Sequence, residues 1–120
     1  MLAPFSGHCP VCRRGNSKDY FMFTDTCLGV KKLNSDAILP TKAHQNDAAY
    51  DLYSIENVIL KPGSISKVKT GIALEIPHGH AGFIWDRSGH GSKGVKVFGG
   101  VIDSGYRGEI IVCLGSLNTL

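Results

Sequence analysis

One segment of the sequence combines an acid, an aromatic ring and four glycines within twelve residues: GGVIDSGYRGEI, residues 99–110. Asp103 follows an apolar pair and is a residue type that activates water as a general base. Tyr106, three residues later, carries a flat ring that can stack on a sugar or a base. Gly99 and Gly100 leave backbone N–H and C=O groups open to a flat ligand edge. A plain hairpin with a turn aspartate and a half-buried tyrosine has the same composition, so both interpretations stay open.

A second cluster lies in WDRSGHGSKG, residues 85–94. The guanidinium fork of Arg87, the hydroxyl of Ser88 and the free backbone around Gly89 suit a chain of phosphates. Lys93 adds positive charge nearby. A basic surface loop is equally consistent with these residues taken alone.

A third cluster, NDAAYDLYSI, spans residues 46–55 and places Asp47 and Asp51 four positions apart. Mg²⁺ keeps several of its waters and takes few direct protein ligands, so Asp51 is a candidate for holding a water of that ion. The alternative is that Asp47 and Ser54 simply cap turns.

Short apolar runs broken by glycine or proline must position these clusters. SKVKTGIALEIP sets Val68, Ile72, Leu74 and Ile76 against polar neighbours, which is the period-2 pattern of a half-buried strand. Pro62–Gly63 predicts a tight turn. We find no helical apolar stripe and therefore predict an all-β domain, a sandwich, jelly roll or barrel. Further strands are expected in VKKL, YDLYSI, NVILKPGS, AGFIWD, GVKVFGGVID and GEIIVCLG.

Length and composition limit the function classes. A chain of 120 residues with 42% hydrophobic residues is expected to form one compact domain, here residues 29–120 after an irregular, cysteine-containing extension over residues 1–28. The net charge of +3 suits a small polyanionic ligand and is too weak to indicate direct binding of nucleic acid. The absence of a long apolar run or a basic leader predicts no membrane association and a cytoplasmic location, with a nuclear or virus-encoded protein left open.

The extension contains HCPVC, which places Cys9 and Cys12 in a Cys-x-x-Cys pair, and Cys27 follows later. In a reducing compartment we interpret the cysteines as thiols or ligands before disulfides. Cys9, Cys12 and Cys27 are candidate zinc ligands, although zinc needs a fourth ligand and no second pair is present. An extension with free thiols is the alternative.

Taken together, DAAYDLYS, DRSG and GVIDSGYRGEI resemble motifs one, two and three of the trimeric deoxyuridine triphosphate nucleotidohydrolases, or dUTPases. The third motif is nearly ideal, and Arg87-Ser88-Gly89 matches the second. Motif one departs at Ala49, where the family usually has glycine. The resemblance extends from about Val30 to the end of the chain.

The resemblance implies a jelly-roll-like distorted β-barrel of the dUTPase type that assembles as a homotrimer with active sites shared between chains. The implied activity is hydrolysis of dUTP to dUMP and pyrophosphate, which lowers dUTP and supplies dUMP for thymidylate synthesis. Asp103 is the implied catalytic residue, which binds the 3′-hydroxyl and orients the attacking water. Tyr106 excludes a 2′-hydroxyl, and Asp51 supports the shell of a Mg²⁺ cofactor. The implied substrate-binding residues are Val97, Phe98, Gly99, Gly100, Val101, Ile102 and Tyr106 for the nucleoside, and Arg87, Ser88 and Gly89 from a neighbouring chain for the phosphates.

Motifs four and five of the family are not found before the sequence ends at Leu120. We therefore expect a barrel incomplete at its C-terminus, with activity of these 120 residues alone in question. A catalytically impaired nucleotide-binding or regulatory protein is one alternative. A dCTP deaminase of the same fold is another, disfavoured because Cys113 occupies the position of that family's catalytic glutamate and Arg-Ser-Gly replaces its Arg-Ser-Ser.

Overall fold

The computed structural model describes residues 20–23 and 26–118, and these form two antiparallel sheets. The larger sheet has five strands in the order β1-β2-β3-β7-β5, and the smaller pairs β4 with β6. Within the described residues the larger sheet is open, with β1 and β5 at its edges, so the all-β prediction is confirmed without a closed barrel. The strands are β1 Tyr20–Phe23, β2 Thr26–Lys32, β3 Ile65–Glu75, β4 Gly82–Phe83, β5 Val95–Phe98, β6 Val101–Ile102 and β7 Glu109–Ser116.

The central strand β3 follows from its alternating sequence. Val68, Ile72 and Leu74 are buried as the period-2 pattern predicts. Burial also extends to two of the intervening positions, Gly71 and Ala73, and Ala73 is 1% exposed. The middle of β3 is therefore covered on both faces, and not on one face only as the pattern suggested, because the loop residues Asn34, Ala37 and Ile55 pack against it at Gly71.

A β-bulge at Gly71 interrupts the pairing of β3 with β7, where the register shifts between Lys69 and Ala73. Gly71 has φ +68°, and a Cβ there would lie 3.0 Å from the Cβ of Ala37 and 3.0 Å from Cγ2 of Ile55. The left-handed backbone and the close packing both require glycine. The carboxylate of Glu109 accepts the Gly71 N–H at 3.0 Å, so the unpaired donor at the bulge is satisfied.

The hydrophobic core lies between β2, β3, β6 and β7. Apolar area removed from water stabilises by about 25 cal/mol per Å², so a fully buried branched side chain contributes roughly 1.5–3 kcal/mol. This core fixes the relative positions of the strands from which the site loops emerge. Its buried members are Val30, Ala37, Ile72, Leu74, Ile76, Ile102 and Ile110.

Several expected strands are shorter than their apolar runs. YDLYSI contributes one isolated bridge between Thr41 and Asp51, and NVILKPGS contributes a bridge from Pro62 to Ser116. The turn at Pro62–Gly63 is confirmed, since Gly63 has φ +73° and Ser64 N–H donates to the carbonyl of Lys61. Apolar residues in these segments cover the core without joining a ladder, so their pattern alone overestimated the strands.

Three further features differ from the sequence-based expectation. A one-turn helix, α1 (Ser88–Gly91), occupies the second cluster, and it is too short to give a helical apolar stripe. β1 and the start of β2 fall in the segment expected to be irregular. Cys27, on β2, is buried and disulfide-bonded, which differs from the expected free thiol or metal ligand.

No helix among the described residues is long and apolar enough to span a membrane.

Candidate functional site

The first and second motif clusters meet at one cavity of about 570 Å³. Its floor is formed by side chains of β3, β5 and β7, and its rim carries the polar groups. The sequence-predicted residues Asp51 and Arg87 both face it, together with residues such as Trp85 and His90 that were not assigned a role. The lining residues are Ala49, Tyr50, Asp51, Leu52, Tyr53, Ser54, Val68, Thr70, Phe83, Trp85, Asp86, Arg87, His90, Val95, Val97, Val112 and Leu114.

Arg87 and Asp51 are brought together across this cavity, with Arg87 Nε 3.4 Å from Asp51 Oδ1. Asp51 is fixed by its backbone, because its N–H donates to the carbonyl of Thr41 at 2.7 Å. The side chain of Arg87 is 68% exposed and that of Asp51 is 37% exposed. A pair this exposed contributes little to stability, and both of its residues line the cavity.

Ser88 and Gly89 lie in the single turn of α1 directly after Arg87. Both are exposed, and a Cβ added at Gly89 would meet nothing within 4 Å. The first N–H groups of a helix have no partner within the helix, so this turn presents donors beside the Arg87 guanidinium. The structure thus places the three predicted phosphate-binding residues on one exposed turn.

Asp86, which the sequence analysis did not single out, anchors this turn to β5. Its Oδ1 accepts the Val97 N–H at 2.7 Å, and its Oδ2 accepts from Lys96 Nζ at 2.6 Å. The hydrogen bond from the Lys96 side chain, and then that from the Val97 backbone, hold the pKa of Asp86 below its ordinary value. An aspartate immediately before Arg-Ser-Gly was the only local signal for this role, and its partners lie ten and eleven residues away.

A second cavity, of about 140 Å³, adjoins the first and is lined by the start of the third motif. Val97, Gly99, Gly100 and Val101 all face it, as the prediction of a pyrimidine site requires. Phe98 lies on β5 and is 47% exposed. Two of its nine lining residues are glycines, which leave backbone N–H and C=O groups open to hydrogen bonds with a base edge.

The link at Gly99–Gly100 is not a simple hairpin. β5 pairs with β7 whereas β6 pairs with β4, so the two glycines connect different sheets. Gly100 has φ +101°, and a Cβ there would lie 2.8 Å from the carbonyl oxygen of Ile84. The Ile84 N–H donates to the Gly100 carbonyl at 2.8 Å, which holds the link close to the neighbouring strand.

The remaining third-motif residues lie apart from both cavities. Asp103 is exposed and its carbonyl accepts the Tyr106 N–H at 3.1 Å, which closes a turn. The ring of Tyr106 is 47% exposed and its hydroxyl donates to the Glu109 carbonyl at 3.0 Å. Ile102 is only 9% exposed in the core, so its side chain, expected to contact substrate, packs inward instead.

Two neighbours hold the turn that carries Asp103 and Tyr106. Arg107 Nη1 donates to the carbonyl of Ser104 at 2.6 Å and to that of Tyr106 at 3.1 Å. Gly108 makes room for the aromatic ring, since a Cβ there would lie 2.6 Å from Tyr106 Cζ. The acid and the ring are therefore presented on one braced turn.

No cluster of three or more metal-ligating side chains occurs among residues 20–23 and 26–118. Asp51 is a single carboxylate on a polar rim, which fits an ion that keeps its waters and binds chiefly to a ligand's phosphates. The zinc prediction stays a prediction at Cys9 and Cys12, which lie outside the described part of the chain, whereas the disulfide-bonded Cys27 does not fit a thiolate ligand.

Comparisons with known proteins agree with this arrangement. The sequence profile of the dUTPase family matches residues 35–119. A deoxyuridine 5'-triphosphate nucleotidohydrolase of Mycolicibacterium gilvum is 47% identical over 97 residues, which cover 78% of this chain and 63% of that protein.

Two solved structures of phage enzymes are also similar. A mutant dUTPase of phage phi11 of S. aureus, whose structure concerns the coordination of a structural Mg(II) ion, is 36% identical with a TM-score of 0.71 and is matched over 76% of this chain and 60% of that one. A mutant dUTPase of Staphylococcus bacteriophage 80alpha with dUpNHpp is 36% identical with a TM-score of 0.71, over 76% and 59% of the two chains. The chain thus spans about 60% of the length of these relatives. With a family profile matched over most of its length and a relative 47% identical, this chain belongs to the dUTPase family.

Proposed function

We propose that this chain hydrolyses dUTP to dUMP and pyrophosphate. The observation that supports this most directly is the ion pair of Arg87 with Asp51 on a cavity beside the glycine-lined second cavity. The larger cavity offers the Arg87 guanidinium for phosphates, with the N–H donors of Ser88 and Gly89 on the adjoining turn, and the smaller cavity includes two glycines whose backbone groups can bind a base. A nucleoside triphosphate has both of these parts, and in the shared-site assembly proposed below the phosphate side of one chain and the base side of a neighbouring chain bind them.

In the proposed mechanism, Asp103 orients the attacking water and accepts a hydrogen bond from the 3′-hydroxyl. Water attacks the α-phosphorus and the bond to the leaving pyrophosphate breaks. Arg87 and the backbone donors at Ser88 and Gly89 stabilise the charge that develops on the leaving group. The protein forms no covalent bond, and its contribution is positioning and electrostatic stabilisation.

Substrate choice follows from the base and sugar contacts. Main-chain groups from Val97 to Val101 imitate a pairing base for uracil, and the tight Gly99–Gly100 link leaves little room for a methyl group at carbon 5. Tyr106 lies against the deoxyribose and excludes a 2′-hydroxyl. We therefore propose discrimination against dTTP at the base and against UTP at the sugar.

The separation of Asp103 and Tyr106 from the phosphate cavity of the same chain supports an assembly in which active sites are shared. We propose a homotrimer, in which Arg87, Ser88 and Gly89 of one chain meet the nucleoside site of a neighbour. Several apolar side chains near the second cavity, including Trp85 at 76% and Val101 at 66% exposure, offer a surface for that contact.

A magnesium cofactor fits this arrangement through the exposed carboxylate of Asp51, which would hold waters of the ion beside the phosphates. When bound, Mg²⁺ supplies neutralisation of phosphate charge. Within the chain, the role of Asp51 is to keep Arg87 turned toward the cavity, at an Nε–Oδ1 distance of 3.4 Å.

Pyrophosphate release from dUTP, compared with release from dCTP, UTP and dTTP, tests the proposed activity. We expect turnover of dUTP with strong discrimination against the other three nucleotides. Equal release from dUTP and dCTP would contradict the proposed base site. Binding of dUTP without release would instead support the nucleotide-binding alternative.

Mixed assemblies test the shared sites. Chains carrying Arg87→Ala and chains carrying Asp103→Asn are each expected to have strongly reduced activity alone and to recover part of the activity when unfolded and refolded together. A mixture of Asp103→Asn chains with Asp51→Asn chains repeats the test with a second phosphate-side residue. Failure of both mixtures, with each variant folded, would contradict sharing of sites between chains.

A further inference from the structure

Asp86 stands in the wall between the two cavities and lines both of them. The next residue, Arg87, faces only the larger cavity, whereas Gly99 and Gly100 face only the smaller one. Val97, the partner of Asp86, lies on β5 and precedes Gly99 by two residues. We call the larger, phosphate-facing cavity and the smaller, base-facing cavity the two half-sites of a chain. The Asp86 carboxylate therefore lies where these half-sites adjoin.

The contacts of Asp86 join these two half-sites. Its Oδ1 accepts the Val97 N–H at 2.7 Å, and its Oδ2 accepts from Lys96 Nζ at 2.6 Å. Both bonds involve a charged group, and such bonds are stronger than neutral ones. They attach the segment before α1 directly to β5.

The rest of the Arg87 segment has few other attachments among the described residues. α1 contains no buried residue, and its N-terminal residue Arg87 makes no side-chain cap hydrogen bond. The ion pair of Arg87 with Asp51 is largely exposed and is expected to be weak. The C-terminal side of this turn is held by hydrogen bonds from Asn118 to the Lys93 carbonyl and from Leu117 to the Gly94 carbonyl, whereas the Asp86 bonds restrain its N-terminal side.

We propose that Asp86 is a positioning residue that fastens the Arg87 turn to β5 and so holds the phosphate-facing and base-facing halves of the chain in a fixed relation. This inference rests on the proposed function for the identity of the two ligand parts. If sites are shared between chains, the two halves serve neighbouring sites, and Asp86 links one site to the next. Lys96 assists by neutralising and orienting the second carboxylate oxygen.

The test compares Asp86→Ala, Asp86→Asn and Lys96→Met with Asp36→Asn, an exposed aspartate remote from both cavities, as the matched control. Amide hydrogen exchange at Val97 reports the bond directly. We expect Val97 to exchange about tenfold faster in Asp86→Ala, in line with the loss of a charge-assisted bond, less so in Asp86→Asn, which keeps an acceptor, and unchanged in the control.

Calorimetric binding of two probes reports the two half-sites separately: inorganic tripolyphosphate for the phosphate side and deoxyuridine for the base side. We expect Asp86→Ala to weaken both by about tenfold. Asp86→Asn, the more conservative variant, is expected to weaken both less and keeps the proposal testable if the alanine variant fails to fold. A residue that merely supported α1 would affect tripolyphosphate alone.

Unchanged Val97 exchange in Asp86→Ala would overturn the proposal, as would loss of tripolyphosphate binding with deoxyuridine binding intact. Failure of this proposal can be distinguished from failure of the proposed function. If the unmodified protein releases no pyrophosphate from dUTP, the proposed function fails, while Val97 exchange still decides whether Asp86 fastens the two halves together.

Discussion

Arg87 Nε lies 3.4 Å from Asp51 Oδ1, and the two residues line the same cavity. The two residues are 36 positions apart and come from separate motifs. Because both side chains are substantially exposed, the pair does not hold the fold together. Its consequence is a guanidinium already turned toward the place where phosphates are proposed to bind.

The first prediction separates stability from activity at this pair. Arg87→Ala and Asp51→Ala are each expected to change the free energy of unfolding by no more than about 1 kcal/mol, since exposed ion pairs contribute little. Arg87→Ala is expected to lower kcat/KM for dUTP by about tenfold to a hundredfold, because a charge-assisted contact to phosphate is lost. Denaturant unfolding and pyrophosphate release measure the two effects.

Lys61→Ala is the control for the removal of one positive charge, since Lys61 is exposed at the Pro62–Gly63 turn and lines neither cavity. Its kinetics are expected to match those of the unmodified protein. A normal kcat/KM for Arg87→Ala would show that Arg87 does not bind the phosphates.

The second prediction concerns the exposed acid on the third-motif turn. Asp103→Asn keeps the shape and loses the charge, so it is expected to lower kcat by about 10²–10⁴-fold while a non-hydrolysable dUTP analogue still binds. Single-turnover kinetics and equilibrium binding distinguish these effects. A kcat that survives the substitution would show that another group orients the water.

The third prediction concerns the Tyr106 ring. Tyr106→Ala is expected to reduce the preference for dUTP over UTP by at least about tenfold, because removing a steric contact changes discrimination by roughly 1–3 kcal/mol. Tyr106→Phe loses the hydroxyl bond to the Glu109 carbonyl and keeps the ring. It is expected to retain the sugar preference, so the pair of variants assigns the effect to the ring.

The fourth prediction compares two adjacent glycines with positive φ. Gly100→Ala places a Cβ about 2.8 Å from the Ile84 carbonyl at φ +101°, and both strain and collision are expected to destabilise the fold. Gly99→Ala has φ +74° and meets nothing within 4 Å, so only the smaller left-handed penalty of roughly 1 kcal/mol is expected. Thermal unfolding of both variants checks the order, and equal losses would contradict a close approach at Gly100.

The fifth prediction is a pH dependence that arises from Asp86. The Lys96 side chain and the Val97 N–H lower the pKa of Asp86 in the fold, so its charged form stabilises the native state. This contribution is fully present above the ordinary value of 3.8 and is lost as the pH falls through the lower folded pKa.

The difference in unfolding midpoint between the unmodified protein and Asp86→Asn is therefore expected at neutral pH and should shrink in strongly acidic solution. Asp36→Asn provides the baseline for a carboxylate without these partners. A difference that stays constant down to pH 3 would mean that the charge of Asp86 does not account for its effect.

Local sequence determined the all-β class, the central strand, the Pro62–Gly63 turn and the family. Alternation in SKVKTGIALEIP and punctuation by glycine and proline depend on neighbours a few residues away, so they can be recognised without coordinates. The three motifs could likewise be located, and with them Asp51, Arg87, Asp103 and Tyr106. What the residues alone left open was whether each cluster was a site or an ordinary turn.

Tertiary structure decided which of those residues meet. Only the long-range pairing of the strands and the burial of Ile102 and its neighbours bring Asp51 to Arg87 and keep Asp103 away from them. Tertiary structure also brings Asp86 into hydrogen-bonding contact with Val97. It places the strands on either side of Gly99–Gly100 in different sheets. These contacts depend on strand register and on packing between distant segments. They therefore cannot be predicted from residue periodicity and motif spacing along the sequence.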